Sequence, residues 1–250
     1  MDFLKLIQQL INGLQVGSIY ALVALGYTMV YGIVQLINFA HGDIIMVGAY
    51  VALTFIPILA NAGLPAWLCF VVAVVACSLL GMLTERVAYR PLRSSPRISS
   101  LITAIGISLL LENAFQLIFT ANPKPFPKVI DVQPLVIGDL QISFVSLITI
   151  VISLAIMIAL QMYIKGTKMG KAMRAVSEDP GTASLVGVNV NTTIQVTFAI
   201  GSGLAAMASV LYASSYPLIQ PLMGSMLGLK AFIAAVLGGI DRPRTRPRAA

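Results

Sequence analysis

Three places in this chain set polar or ionisable side chains against long apolar runs, where they could hold a charged small solute. The stretch INFAHGD at 37–43 carries Asn38, His41 and Asp43, while Glu112 and Lys230 each stand alone within an otherwise uncharged stretch. An ionisable group at the centre of a bilayer costs several kcal/mol unless it is paired or hydrated, so each such residue is a functional candidate. Asn38, His41, Glu112 and Lys230 are therefore taken as candidates for lining a solute path. For 37–43 two readings stand: a polar turn facing the cytoplasm, or a broken-helix element whose exposed ends meet a carboxylate or an ammonium group. For Glu112 and Lys230 three readings stand: a pair with each other, snorkelling to water, or separate hydration.

Covalent catalysis has no foothold in the sequence. There is one histidine, no H-E-x-x-H and no cysteine pair at metal-ligand spacing. The nearest approach to a phosphate loop, GTKMGKA at 166–172, has one residue too few between its glycines and ends in Ala172. A phosphate loop needs both the longer spacing and a following Ser or Thr. Cys69 and Cys77 lie eight residues apart on one expected helix. That is about 12 Å along the axis, too far to bridge, so they are read as inert packing residues. No metal, no cofactor and no catalytic residue is expected.

What must position the candidates is a set of membrane helices. The 250 residues are 58% hydrophobic and only 10% charged, with a mean hydropathy of +0.92. Runs free of Asp, Glu, Lys, Arg and His cover 6–40, 44–84, 98–111, 113–123, 140–164, 189–229 and 231–240. A spanning helix needs roughly 20 such residues, and the runs are continuous rather than alternating, which excludes a β-barrel. The first run is also far longer than the apolar core of a cleaved signal peptide. The expected architecture is an all-α, polytopic helical bundle with spans near 15–37, 44–60, 65–84, 98–120, 142–164 and 191–213, and a seventh starting near 222. Residues 1–15 are expected as an interfacial amphipathic helix. The proline-rich segment 120–134 should form a rigid extended loop, and Trp67 an interfacial anchor.

The formal charge of +7 reflects topology. Arg86, Arg90, Arg93 and Arg97 oppose Glu85 in 85–97; Lys165, Lys168, Lys171 and Arg174 oppose Glu178 and Asp179 in 165–190; four arginines oppose Asp241 in the tail. Twelve of the 16 basic residues thus lie in three segments, while 121–141 is neutral and 61–65 and 214–221 are uncharged. The positive-inside rule makes the first group cytoplasmic and the second external. The basic balance therefore does not indicate nucleic acid. Small-xxx-small pairs at Gly13/Gly17 and Gly224/Gly228, and the run GSGLAAMAS at 201–209, are read as close-packing faces.

On the cytoplasmic side, RAVSEDPGTASLVGV at 174–188 breaks the apolar pattern. Asp179 can cap a short helix that opens with Pro180 and closes at Gly187. By itself this is an ordinary loop helix or a docking element for a soluble partner.

The stretches GSIYALVALGYTMVYGIVQLINFAHGDIIMVGAY (17–50), ERVAYRPLRSS (85–95), GKAMRAVSEDPGTASLVGVNV (170–190) and GLKAFIAAVLGGI (228–240) together resemble the permeases of branched-chain amino-acid ABC transporters. The resemblance implies a 1–240 transmembrane permease domain whose segment 165–190 couples to separate ATPase subunits. It also implies a second permease subunit in a heterodimer, an extracytoplasmic substrate-binding protein and the bacterial inner membrane. The generic pattern E-A-A-x-x-x-G is met in part: Gly181 and Thr182 replace its first two residues, and Ala183 and Gly187 fit. The coupling residues it implies are Glu178, Asp179, Pro180, Ala183, Ser184 and Gly187. Another small solute such as urea or an amide, or an ATP-independent channel or secondary transporter, is the alternative. After Ile240 the chain reads DRPRTRPRAA, which departs from the family pattern and is expected to be a truncated or altered C-terminus.

Overall fold

A computed structural model describes residues 3–34, 38–93, 95–127, 129, 135–137 and 140–239. Its long helices are α1 (Phe3–Val34), α2 (His41–Asn61), α3 (Leu68–Thr84), α4 (Arg97–Phe119), α5 (Phe144–Gly166) and α8 (Val190–Ser215). All six are long and apolar enough to cross a membrane. Two short helices, α6 (Lys168–Glu178) and α7 (Pro180–Leu185), separate α5 from α8, and α9 (Met223–Leu237) follows. At 15 residues, α9 is shorter than the ~20 that a full crossing takes. The tail at 241–250 lies outside the described residues.

The centre of the bundle is α8, packed against α1, α2 and α3. Its small-residue run explains the close approach. Gly201, Ser202, Gly203, Ala205, Ala206, Ala208 and Ser209 are all buried, and a Cβ on Gly48 of α2 would come within 3.0 Å of the Ala206 Cα. Hydroxyls then tie helix to helix: Ser78 donates to the Ala199 carbonyl at 2.9 Å, and Ser209 donates to the Ile45 carbonyl. With no hydrophobic drive between helices in lipid, such packing and bonding hold a bundle together. By contrast α4 is largely exposed, showing Ile102, Leu110, Leu117 and Ile118 outward, as a helix facing hydrocarbon must.

The external ends meet as the charge pattern requires. Strand β1 (Lys124–Pro125) pairs antiparallel with β4 (Leu218–Ile219), joining the two segments assigned to the outside. Gln15 also links three helix ends there, donating to Ser215 at 2.5 Å and accepting from Ser146 at 2.6 Å. Of the expected extended loop, 120–134, the described part holds β1, and a hairpin of β2 (Leu135–Ile137) with β3 (Leu140–Ile142) follows it.

Three further expectations are corrected. The first turns of α1 do not form a separate interfacial helix; with no proline between them and the span, 32 residues run on as one helix. Gly13 and Gly17 meet nothing within 4 Å, so that pair makes no helix contact, whereas Gly224 and Gly228 do. Finally, Asn38, His41 and Asp43 do not face the cytoplasm: they are 3%, 1% and 1% exposed. The chain turns back after α1, so that His41 lies against Gly26, where a Cβ would stand 2.5 Å from Nε2. Gly26 is eight residues before Val34, about 12 Å up α1 from its cytoplasmic end. Helix α2 thus begins inside the bundle, as the broken-helix reading has it.

Candidate functional site: a cytoplasmic docking element and an internal cavity

The docking element is built by local hydrogen bonding. Thr167 caps α6, accepting from the Gly170 amide at 3.0 Å. Gly170 itself is forced, since a Cβ there would stand 2.6 Å from the Ile164 carbonyl carbon. The buried residues of α6 are Gly170, Met173 and Val176, three apart on one face, and that amphipathic helix was not foreseen in the sequence. Asp179 then caps α7 with both carboxylate oxygens, accepting from the Gly181 amide at 2.8 Å and the Thr182 hydroxyl at 2.6 Å. Pro180 occupies the first helical position, where its missing N–H costs nothing. At the far end Gly187 has φ +86°. Its amide donates to Ser184 at 3.1 Å, and that of Val188 to Ala183 at 3.0 Å. This reciprocal pattern is a Schellman motif, which needs the left-handed residue that glycine supplies.

Of the expected coupling residues, Glu178, Asp179, Pro180, Ser184 and Gly187 are exposed, and Ala183 is not. Ala183, 3% exposed, sits in an apolar cluster with Val30, Tyr89, Met173, Val176 and Phe198. It anchors the element and cannot itself be a contact surface. The apolar side chains presented to the cytoplasm are Leu185 and Val186, 87% and 73% exposed. Sequence reasoning passed over both; two adjacent apolar residues in a polar cytoplasmic helix were the available signal. Asp179→Ala is expected to cost about 1 kcal/mol, the usual worth of such a cap. A thermal-melt comparison in detergent checks this; an unchanged midpoint would count against the cap.

From the same cluster a link runs inward. The Tyr89 hydroxyl donates to Asn38 Oδ1 at 2.7 Å, joining the cytoplasmic core to the turn that precedes α2. Beyond it lies a cavity of about 200 Å³, lined by Tyr27, Phe39, Gly42, Ser108, Ser225 and Phe232 among others. The Tyr27 hydroxyl hydrogen-bonds the Gly42 backbone, and its ring meets the His41 ring edge-on with centroids 4.5 Å apart. Ser108 donates to Asp43, and Ser225 donates to Glu112. Asp43 Oδ1 and His41 Nε2 are buried without a hydrogen-bond partner.

Of the predicted path residues none lines that cavity directly: Glu112 reaches it through Ser225, Asn38 and His41 lie in the turn before α2 and at its first residue, and Lys230 is not among the lining residues. The Glu112–Lys230 pair is absent: Glu112 accepts from Ser225, and Lys230 is exposed on α9. Among the described residues the ion pair given by the geometry is Arg93 with Glu85. Tyr27, Ser108 and Ser225 were not foreseen, because their partners lie far away in sequence. No three His, Cys, Asp or Glu side chains among the described residues stand together as metal ligands.

Six membrane-length helices, an internal polar cavity and an anchored cytoplasmic helix define a multi-pass membrane protein of the solute-permease class. The family model described as branched-chain amino acid transport system, permease component, matches residues 9–247. The chain is 43% identical over 244 residues to the high-affinity branched-chain amino acid transport system permease protein BraD of Pseudomonas aeruginosa, covering 94% of this chain and 79% of BraD. It is 44% identical over 249 residues to the corresponding permease protein LivH of Escherichia coli K12, covering 96% of this chain and 80% of LivH. LivH of Salmonella typhimurium is 42% identical with the same coverage. No solved structure matches. The chain belongs to the branched-chain amino acid transport permease family.

Proposed function

We propose that this chain is a permease subunit of an ATP-driven importer of branched-chain amino acids in the bacterial inner membrane. A second permease subunit completes the path, an extracytoplasmic binding protein delivers the amino acid, and separate ATPase subunits drive import. The supporting observation is the rigidity of α7. A helix of six residues is too short to be stable alone, yet this one is capped at both ends and packed through Ala183 into an apolar cluster with residues of α1, α6 and α8. A partner gripping Leu185 and Val186 would move that cluster, and with it Tyr89 and Asn38. ATP binding and hydrolysis on the partner would then switch the bundle between outward- and inward-open states.

The test is co-purification of the chain with its ATPase, comparing wild type with the pair Leu185→Asp and Val186→Asp. Both side chains are exposed, so the folded bundle is expected to survive while capture falls at least tenfold. Ala183→Asp cannot serve, since it would place a carboxylate in an apolar core. Capture unaffected by the pair would overturn the docking assignment. Leucine uptake by the chain in vesicles without any ATPase would favour a channel or secondary transporter instead.

A further inference from the structure

We propose that the cavity between α1, α2, α4 and α9 binds the ammonium group of the amino acid in transit, through the carboxylates of Asp43 and Glu112 behind its two serines. The inference rests on the permease reading above and assigns a site within it. The cavity, at about 200 Å³, holds several times the ~30 Å³ share of one water. It falls below the ~300 Å³ of the smallest drug-sized pockets, a size for a small solute. Its walls are of two kinds. Tyr27, Phe39, Leu229 and Phe232 offer an apolar surface fit for a branched aliphatic side chain, and Ser108 and Ser225 offer hydroxyls.

Those two hydroxyls are already committed as donors, Ser108 to Asp43 and Ser225 to Glu112. Each hydroxyl lines the cavity and sets a carboxyl group directly behind it, Asp43 on α2 and Glu112 on α4. Asp43 is 1% exposed and its Oδ1 has no hydrogen-bond partner. No Lys, Arg or His among the described residues forms an ion pair with either group. A buried carboxyl group with no ion-pair partner is stable only with a cation or a proton beside it. An amino acid crossing the bilayer has the complementary need, because its ammonium group loses water and must be paired. The cavity is also reachable from the side of the chain, since Ser225, Phe39 and Leu229 are exposed at its rim. Zwitterionic aliphatic amino acids are thus the ligand class, with the ammonium inward and the aliphatic group among the rings.

Leu229→Cys, exposed at the cavity rim and outside the hydrogen bonds to the carboxyl groups, provides the reporter, as the native Cys69 and Cys77 are fully buried. In the assembled transporter, maleimide labelling of this cysteine would be timed with leucine, with isoamylamine (no carboxylate) and with 4-methylpentanoate (no ammonium). Leucine and isoamylamine are expected to slow labelling at least fivefold, and 4-methylpentanoate less than twofold. Adding Glu112→Gln is expected to abolish the protection by isoamylamine. Equal protection by 4-methylpentanoate, or none by any of the three, overturns the assignment; the ligand comparison needs no second substitution, so misfolding of the Gln variant cannot mask it. ATPase capture and leucine uptake are measured on the same preparation. Failure of the permease reading would show there, apart from failure of the cavity assignment.

Discussion

Replacing Gly42 with leucine is expected to strip α9 from the bundle and leave little folded chain after mild heating in detergent. A Cβ on Gly42 would stand 2.7 Å from the Gly224 carbonyl oxygen and 3.2 Å from the Gly228 Cα. The reverse contacts are as tight: a Cβ on Gly228 would lie 2.6 Å from the Gly42 Cα, and one on Gly224 would lie 2.9 Å from the Gly42 carbonyl carbon. Every atom in the way of a Gly42 side chain is backbone, so no rotamer change relieves the clash. Overpacking a core with flexible neighbours costs about 1–3 kcal/mol; here two helices must separate, and the cost should exceed that range. Gly42→Ala sets the same Cβ against the same backbone and is expected at the upper part of that range, and Gly228→Leu beside Gly42→Leu. Gly106, on the exposed α4, meets nothing within 4 Å. Gly106→Ala should therefore leave stability unchanged or raise it by up to ~1 kcal/mol through helix propensity. The measurement is the fraction of monodisperse protein after a temperature series. A Gly42→Leu chain that survives like Gly106→Ala would show that α9 does not dock on α2.

The same three glycines mark where sequence reasoning stops. The Gly224/Gly228 spacing announced a close helix contact, but Gly13/Gly17 has the same spacing and touches nothing. Spacing gives one face of an interface; the partner, Gly42, lies about 180 residues away and is fixed only by the fold. The helices themselves were legible because length and hydropathy suffice in hydrocarbon, where every backbone group must bond within its own segment. The capped α7 was legible because Asp179, Pro180 and Gly187 act on their immediate neighbours. Burial was not. Charge placed 37–43 at the cytoplasmic surface, yet the chain folds back beside Gly26 and carries Asn38, His41 and Asp43 into the bundle. The hydroxyls that hold the two carboxyl groups come from 65 and 113 residues away, and no local pattern foretells them. Ala183 was read as part of a docking surface because the family pattern names it. Its conversion from contact to anchor follows only from the cluster beneath it.

Arg93→Ala is expected to destabilise the chain by about 3 kcal/mol, and adding Glu85→Gln to restore most of the loss. Helix α3 runs into a π turn, Glu85–Tyr89, and then a 3-10 turn, Arg90–Leu92. These bring Arg93 back over Glu85, one guanidinium nitrogen pairing with its carboxylate and the other donating to Asn191 Oδ1 at 2.6 Å. The pair is lopsided, with the Glu85 side chain 1% exposed and that of Arg93 21%. Removing the arginine strands a buried charge, which costs roughly 3–5 kcal/mol, whereas replacing both partners is often neutral. Water still reaches the guanidinium, which argues for the lower end. Arg93→Lys should fall between, because an ammonium lacks the planar fork that spans Glu85 and Asn191 together. Thermal melts of the four proteins decide the matter. If the double variant melts no higher than Arg93→Ala, the stranded charge is not the cause. A second consequence is functional: Asn191 opens α8 directly after α7, so the pair clamps the docking element to α3. Arg93→Ala should weaken ATPase capture at temperatures where the bundle is still folded, and the double variant, lacking the clamp, should not recover it. Stability and capture would then part company, as they must if Arg93 both neutralises Glu85 and holds α8 in place.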